Sequence, residues 1–142
     1  MRFWDSSGIV AVVAREIELP QCLALLQTDD EMAVWCWTSV ELLSALHRKR
    51  RGGDLTAAGW ALAAQQVSLL RAHWLEVENL DVVRTIAERL VAQHPLRSAD
   101  ACQLAAALFL AEGDPARLEF VCLDGRLRQA AAKEGLVVVP AT

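Results

Sequence analysis

The chain opens on Phe3-Trp4-Asp5-Ser6-Ser7-Gly8 and continues in an apolar run over residues 9–14. A short apolar stretch, a polar break and a second apolar run predict a strand, a turn and a helix, in that order. Asp5 therefore stands between the first strand and the first helix. Because acids recur in comparable positions further along the chain, this opening indicates both the class of fold and the place of a site.

The alternation of strands and helices continues to the C-terminus. Further strands are predicted at 32–37, 74–77, 118–123 and 136–139, and helices at 21–27, 38–51, 55–73, 80–93, 98–110 and 126–133. In the helix at 21–27 we expect Leu23, Leu25 and Leu26 to be buried. Strands separated by helices indicate a parallel sheet covered on both faces. We predict a single α/β domain over residues 1–142, a three-layer α/β/α sandwich with a central parallel sheet.

The composition is that of a globular protein with one core. Of the 142 residues, 54% are hydrophobic and 23% are charged, which allows a packed interior. No apolar run is long enough for a membrane span, and the N-terminus lacks a secretory pattern, so we expect a cytoplasmic protein with no membrane contact. The net charge of −4 argues against a general nucleic-acid coat but does not exclude a nuclease with an acidic site. The four cysteines have neither metal-clip nor redox spacing and are expected to be buried and reduced.

Four acids are placed where they can meet. Asp5, Glu41 and Asp124 each follow a predicted strand, and Asp100 lies in the first turn of a helix. The carboxyl ends of parallel strands share one edge of a sheet, which is where ligands bind. Four carboxylates gathered there would repel one another, and a hard divalent cation removes that repulsion. The pattern predicts metal-assisted phosphodiester hydrolysis with Mg²⁺ or Mn²⁺.

Each acid also has a purely structural interpretation. Asp5 and Asp124 are typical helix N-caps, and Asp100 suits the positive end of a helix dipole. The segment from Thr38 to Glu41 has the spacing of a capping box. A non-catalytic binding module therefore stays open as an alternative. A haloacid-dehalogenase-type phosphatase is a weaker one, because its second acid would stand where this chain has Ser7.

Four segments together resemble the motifs of PIN-domain ribonucleases, in the same order along the chain. They read FWDSSGIV at 3–10, TSVELLSAL at 38–46, LRSADACQLAAA at 96–107, and LDGRLRQAA at 123–131 followed by GLVVVP at 135–140. The resemblance implies a PIN-like fold that cleaves single-stranded RNA. Among small bacterial members it implies a VapC-type toxin of a toxin–antitoxin pair, a homodimer inhibited by a small antitoxin protein.

The resemblance also implies roles for individual residues. Asp5 and Asp100 would be the leading ligands of Mg²⁺ or Mn²⁺, with Asp124 as a further ligand. Glu41 would complete the catalytic acids, and Ser6 would orient Asp5 or a water.

Basic residues near the acids are candidates for holding RNA. Arg97, Arg126 and Arg128 lie close to the acids in sequence and could contact a substrate phosphate. Arg48 and Arg50 belong to the basic run at 47–51, which either stabilises a helix end or tracks phosphates.

Two apolar features carry open alternatives. Trp35 and Trp37 alternate in the predicted strand and should face the same side, either in the core or at the mouth of the site as base-stacking surfaces. The helix at 55–73 is apolar over much of its circumference. It is either buried in its own domain or receives an antitoxin helix or a second protomer.

Overall fold

A computed structural model gives the fold for residues 1–16 and 18–141. Ile17 and Thr142, which the predicted domain also contains, lie outside the described residues. In chain order the described elements are β1 Arg2–Trp4, α1 Ser6–Val13, α2 Leu19–Thr28, β2 Met32–Trp35, α3 Thr38–Arg51, α4 Ala57–Arg71, β3 Leu75–Val77, α5 Leu80–Gln93, α6 Ser98–Leu110, a 3₁₀ turn Pro115–Arg117, β4 Glu119–Val121, α7 Gly125–Lys133 and β5 Val137–Val139. The predicted α/β class is confirmed.

The five strands form one parallel sheet in the order β3-β2-β1-β4-β5. The first strand is central, with Phe3 paired to Ala33 of β2 on one side and to Phe120 of β4 on the other. Along the chain, β2 and β3 are added on one side of β1, and β4 and β5 are then added on the other side. The strand order therefore reverses between β1 and β4, which is where open α/β sheets bind ligands.

Two hydrophobic cores lie on opposite faces of the sheet. Successive strand residues point to opposite faces, so Phe3 and Trp4 enter different cores. Phe3 stacks on Phe120 with 5.7 Å between ring centroids, in the core shared with α5, α6 and α7. Trp4 and Val121 pack under α1 to α4. Helices on both faces of a parallel sheet make the three-layer α/β/α sandwich that the sequence predicted.

The bounds of two elements correct the prediction for their residues. α1 begins at Ser6, so the supposed polar turn is the first turn of the helix. β2 ends at Trp35, Cys36 and Trp37 form a turn, and α3 begins at Thr38. The alternation rule therefore does not apply to the two tryptophans: Trp35 is buried, whereas Trp37 is 54% exposed.

Two helices are less buried than their apolar residues indicate. Of the three leucines expected to be buried in α2, Leu25 and Leu26 are partly buried against the core, whereas Leu23 is exposed, and the fully buried residue is Cys22. In α4 only one stripe, with Ala63 and Val67, is buried, and Leu62 and Leu69 stay exposed. No helix in the described ranges is both long and apolar enough to cross a bilayer.

Gly8 lets α1 lie directly against the sheet. A Cβ at this position would stand 2.9 Å from Cγ1 of Val121 and 3.2 Å from Cε3 of Trp4. Both neighbours are fully buried core side chains, so neither has free space to move into. The close approach fixes the start of α1, and with it Asp5, relative to β4.

We predict that Gly8→Ala destabilises the protein by about 1–3 kcal/mol. The added methyl group overpacks the core, and the free energy that this costs exceeds the gain from the higher helix propensity of alanine. Gly125→Ala is the matched control, since a Cβ there has no atom within 4 Å. Urea unfolding of both variants measures the effect. An unchanged midpoint for Gly8→Ala would show that the helix does not need this contact distance.

Candidate active site

Asp5 is held at the β1–β4 edge by β4, by the residue that follows β4 and by its own helix. Its backbone N–H donates to the carbonyl of Val121 at 2.9 Å, which extends the ladder one residue beyond β1. Its Oδ2 accepts from the backbone N–H of Ser7 at 3.1 Å, from the Ser7 hydroxyl at 2.5 Å and from the Cys122 thiol at 3.6 Å. Asp5 is only 3% exposed, and burial raises its pKa. The carboxyl is thus fixed in place and costly to ionise.

The hydroxyl that orients the Asp5 carboxyl belongs to Ser7 and not to Ser6, whose backbone also acts on this carboxyl. The Ser7 hydroxyl also accepts from the backbone N–H of Leu123 at 2.9 Å, so it ties the start of α1 to the loop after β4. Ser6 instead lines the cleft above the acids. Both hydroxyls belong to the same motif, and which one turns inward depends on the helix starting at Ser6.

Asp124 reaches the same edge from β4 and caps the last helix. Its Oδ1 accepts from the backbone N–H of Leu127 at 2.9 Å, as expected for an N-cap. The residue is exposed and lines the cleft. The capping bond uses only one of the two carboxylate oxygens, so Asp124 can cap the helix and also belong to the acidic site.

Glu41 is held by a buried side chain that the sequence did not single out. Its Oε2 accepts from Nε2 of Gln103, which also donates to the Thr38 hydroxyl at 3.0 Å. Gln103 is fully buried in α6. The capping-box interpretation of Glu41 is wrong, because α3 already begins at Thr38 and its N-cap, Trp37, makes no side-chain bond. One signal in the sequence could have pointed to Gln103: it lies three residues after Asp100, on the same face of the predicted helix.

The four acids act on one another electrostatically. The pKa of Glu41 is raised to about 7, chiefly by burial and in smaller part by the charges of Asp5 and Asp100, against the hydrogen bond from Gln103, which lowers it. Burial also raises the pKa of Asp100, as do the charges of Asp5 and Asp124, whereas Arg97 lowers it. Side chains from four separate segments therefore form one acidic cluster.

A cleft of about 640 Å³ opens over this cluster. Its walls combine acidic, basic and small polar side chains, among them Ser6, Glu41, Arg48, Arg97, Asp100, Asp124 and Arg126. Asp5 is not among the lining residues, in keeping with its burial. The cleft thus offers both carboxylates for a cation and guanidinium groups for an anion.

Two of the five arginines predicted to hold RNA lie elsewhere. Arg128 donates to the carbonyls of Cys122 at 2.6 Å and of Pro140 at 2.8 Å, so it ties β4 to the C-terminal segment. The Arg50 guanidinium lies 5.6 Å from the ring centroid of Trp60. Arg48, Arg97 and Arg126 remain as the arginines of the cleft.

Salt bridges do not neutralise the acidic cluster in the part of the chain that the structure describes. Within residues 1–16 and 18–141, none of the four acids forms a salt bridge. The same part of the chain holds no three His, Cys, Asp or Glu side chains arranged as a ready metal-ligating group. The acids are close enough to repel one another, yet they do not already form a closed coordination shell.

Comparison with known proteins supports the fold. No protein-family model matches the chain, and no curated protein matches it. The crystal structure of PAE2754 from Pyrobaculum aerophilum is similar, with a TM-score of 0.61 and 20% sequence identity over 96% of this chain and 87% of that one. At this identity the similarity concerns the arrangement of helices and strands alone.

We predict that Glu41→Gln changes how stability depends on pH. The pKa of Glu41 is about 7 in the folded protein, above the usual 4.5, so folding favours the protonated form. In the wild type this contribution is full below pH 4.5 and is lost as the pH rises through about 7. The free energy of unfolding of the variant should therefore equal that of the wild type at low pH and exceed it above pH 7.

Urea unfolding in EDTA across this pH range is the measurement. Glu88→Gln, on the exposed side of α5, is the control and should keep the wild-type curve. A Glu41→Gln curve parallel to that of the wild type would contradict the burial argument.

Proposed function

We propose that this protein is a metal-dependent endoribonuclease of the PIN-domain type that cleaves single-stranded RNA. The observation that carries the proposal is the acidic cluster of Asp5, Glu41, Asp100 and Asp124, which forms no salt bridge with any described residue and lies where the strand order reverses. The four sequence segments that resemble PIN-domain motifs occur along the chain in the same order as in that family. The similarity to a solved structure concerns the fold alone and bears neither on the family nor on the activity.

The chemistry of the donor set suits Mg²⁺ or Mn²⁺. Both are hard cations that prefer carboxylate oxygens, and the acids Asp5, Glu41 and Asp100 have pKa values raised by burial. Asp5, Asp100 and Asp124 are the proposed ligands, with Glu41 completing the acidic site. Because the described side chains do not form a ready ligand group, an ion would have to draw them together. A bound divalent ion supplies a water of lowered pKa and stabilises charge on an attacked phosphate.

The rim of the cleft suits an RNA phosphate. Arg48, Arg97 and Arg126 come from α3, the loop before α6 and the start of α7. The first turns of α6 and α7 also lie at the cleft, and helix N-termini favour anions. These groups would hold the backbone of a strand beside the acids, and Gln103 would keep Glu41 turned into the site.

The biological setting is proposed from the motif resemblance. On that ground the protein is a VapC-type toxin of the cytoplasm, paired with an antitoxin protein and active as a homodimer. The exposed Leu62 and Leu69 on α4 agree with a protein partner on that side of the molecule.

A non-catalytic binding module is the second candidate. The observations in its favour are that Asp5 and Asp124 both cap helices and that the described residues hold no ready metal-ligating group. The two candidates differ in whether RNA cleavage depends on a divalent ion and on the half-buried Asp100.

We predict that the wild type cleaves a mixture of labelled single-stranded RNAs in Mg²⁺ and that EDTA stops it. Asp100→Asn should lower the rate by roughly 100-fold or more, because the cluster loses a charged ligand. The control is Asp30→Asn, an exposed acid outside the cleft. Cleavage that persists in EDTA, or at full rate in a folded Asp100→Asn protein, would contradict the assignment.

We predict that Arg126→Ala weakens RNA binding to a similar degree for all sequences and lowers the salt dependence of binding by about one phosphate contact. The matched control is Arg117→Ala, because Arg117 is exposed and pairs with Asp114 at 2.9 Å, outside the cleft. Fluorescence anisotropy with labelled RNA at several salt concentrations measures both. Equal salt slopes for the two variants would remove Arg126 from the substrate site.

A further inference from the structure

We propose that an apolar groove beside the acidic cleft binds a nucleobase of the RNA, stacked on Trp37. This base groove has a volume of about 640 Å³, and its apolar walls come from Trp35, Trp37, Val40, Leu80, Ala87 and Val91. The inference rests on the proposed function, since it names how the same site would hold its substrate. It assigns a role to an aromatic side chain that the acidic cluster does not use.

The groove adjoins the cleft directly. Glu41 and Ala99 line both, so a group bound in the groove lies next to the acidic cleft. One nucleotide carries its base next to its phosphate. A strand whose phosphate lies among Arg48, Arg97 and Arg126 can therefore place the neighbouring base in the groove.

Trp37 offers a stacking surface that the fold does not need for its core. Trp35, two residues earlier, is only 4% exposed and packs under α5 and α6, whereas Trp37 is 54% exposed. Trp37 stands at the N-cap of α3 without a capping side-chain bond. An exposed indole on an apolar wall is suited to an uncharged, flat partner.

The charges of the groove favour an uncharged base over a phosphate. Glu41 and Glu88 lie in its walls, and its one arginine, Arg84, is paired with Asp81 at 3.1 Å. The unpaired arginines belong to the cleft instead. The phosphate would therefore lie in the cleft and the uncharged aromatic base in the adjoining groove. Because every base has a π-face, the groove would accept different bases.

The test compares RNA that has bases with the same backbone without them. The wild type, Trp37→Ala and Trp37→Phe are titrated in EDTA with labelled oligo(A) and with an abasic oligomer of equal length, and anisotropy gives the affinities. We expect Trp37→Ala to weaken oligo(A) binding by roughly ten-fold and to leave the abasic oligomer unchanged. Trp37→Phe should retain most of the affinity. Leu69→Ala, an exposed apolar residue on α4, is the control and should change neither.

The outcomes separate this inference from the nuclease proposal. Equal binding of oligo(A) by the wild type and Trp37→Ala would overturn the base groove, even if Asp100→Asn abolishes cleavage. Base-dependent binding through Trp37 without any metal-dependent cleavage would support the groove and contradict the nuclease. If Trp37→Ala instead alters only the oligomeric state, measured by light scattering, the groove is a protein interface and the proposal fails.

Discussion

The repulsion between carboxylates gathered at the β1–β4 edge is the constraint on which the rest of the site depends. Burial raises the pKa of Asp5, Glu41 and Asp100, and the charges of neighbouring acids raise the pKa of the last two further. Removing a carboxylate from water and placing it beside another costs free energy, and no described ion pair offsets that cost. A divalent cation would remove the repulsion, which is why the proposed function places one there.

The fold holds this unfavourable arrangement with backbone and with neutral hydrogen bonds. Asp5 is fixed between β1 and β4 by the ladder and by Ser7, and Gln103 turns Glu41 toward the cluster from α6. The absence of a side chain at Gly8 lets α1 come close enough to the sheet for the first of these contacts. Because the hydrogen bonds come from neutral donors, they position the acids without neutralising them. The guanidinium groups of Arg48, Arg97 and Arg126 line the cleft, where they could bind a phosphate.

The sequence alone predicts the fold and the meeting of the acids, since both follow from the order of strands and helices. Parallel strands have their carboxyl ends at one edge whatever the details of packing. The side chains that contact each acid could not be predicted from the sequence, because those contacts depend on tertiary packing. The hydroxyl of Ser7 rather than that of Ser6 contacts Asp5 because α1 starts one turn earlier than predicted. Gln103 of α6 contacts Glu41 of α3, and Arg128 donates to backbone carbonyls. Trp37 leaves the core because β2 ends two residues sooner than its apolar pattern indicates.

Calorimetric titration with Mn²⁺ near pH 7 tests the central claim most directly, because it asks whether the acids bind an ion at all. Glu41 has a pKa of about 7 in the absence of a cation, so binding should release protons, which titration in two buffers of different ionisation enthalpy reveals. The account predicts saturable binding with proton release in the wild type and a large loss of affinity in Asp100→Asn. Absence of saturable binding, or equal binding by the two proteins, would contradict it.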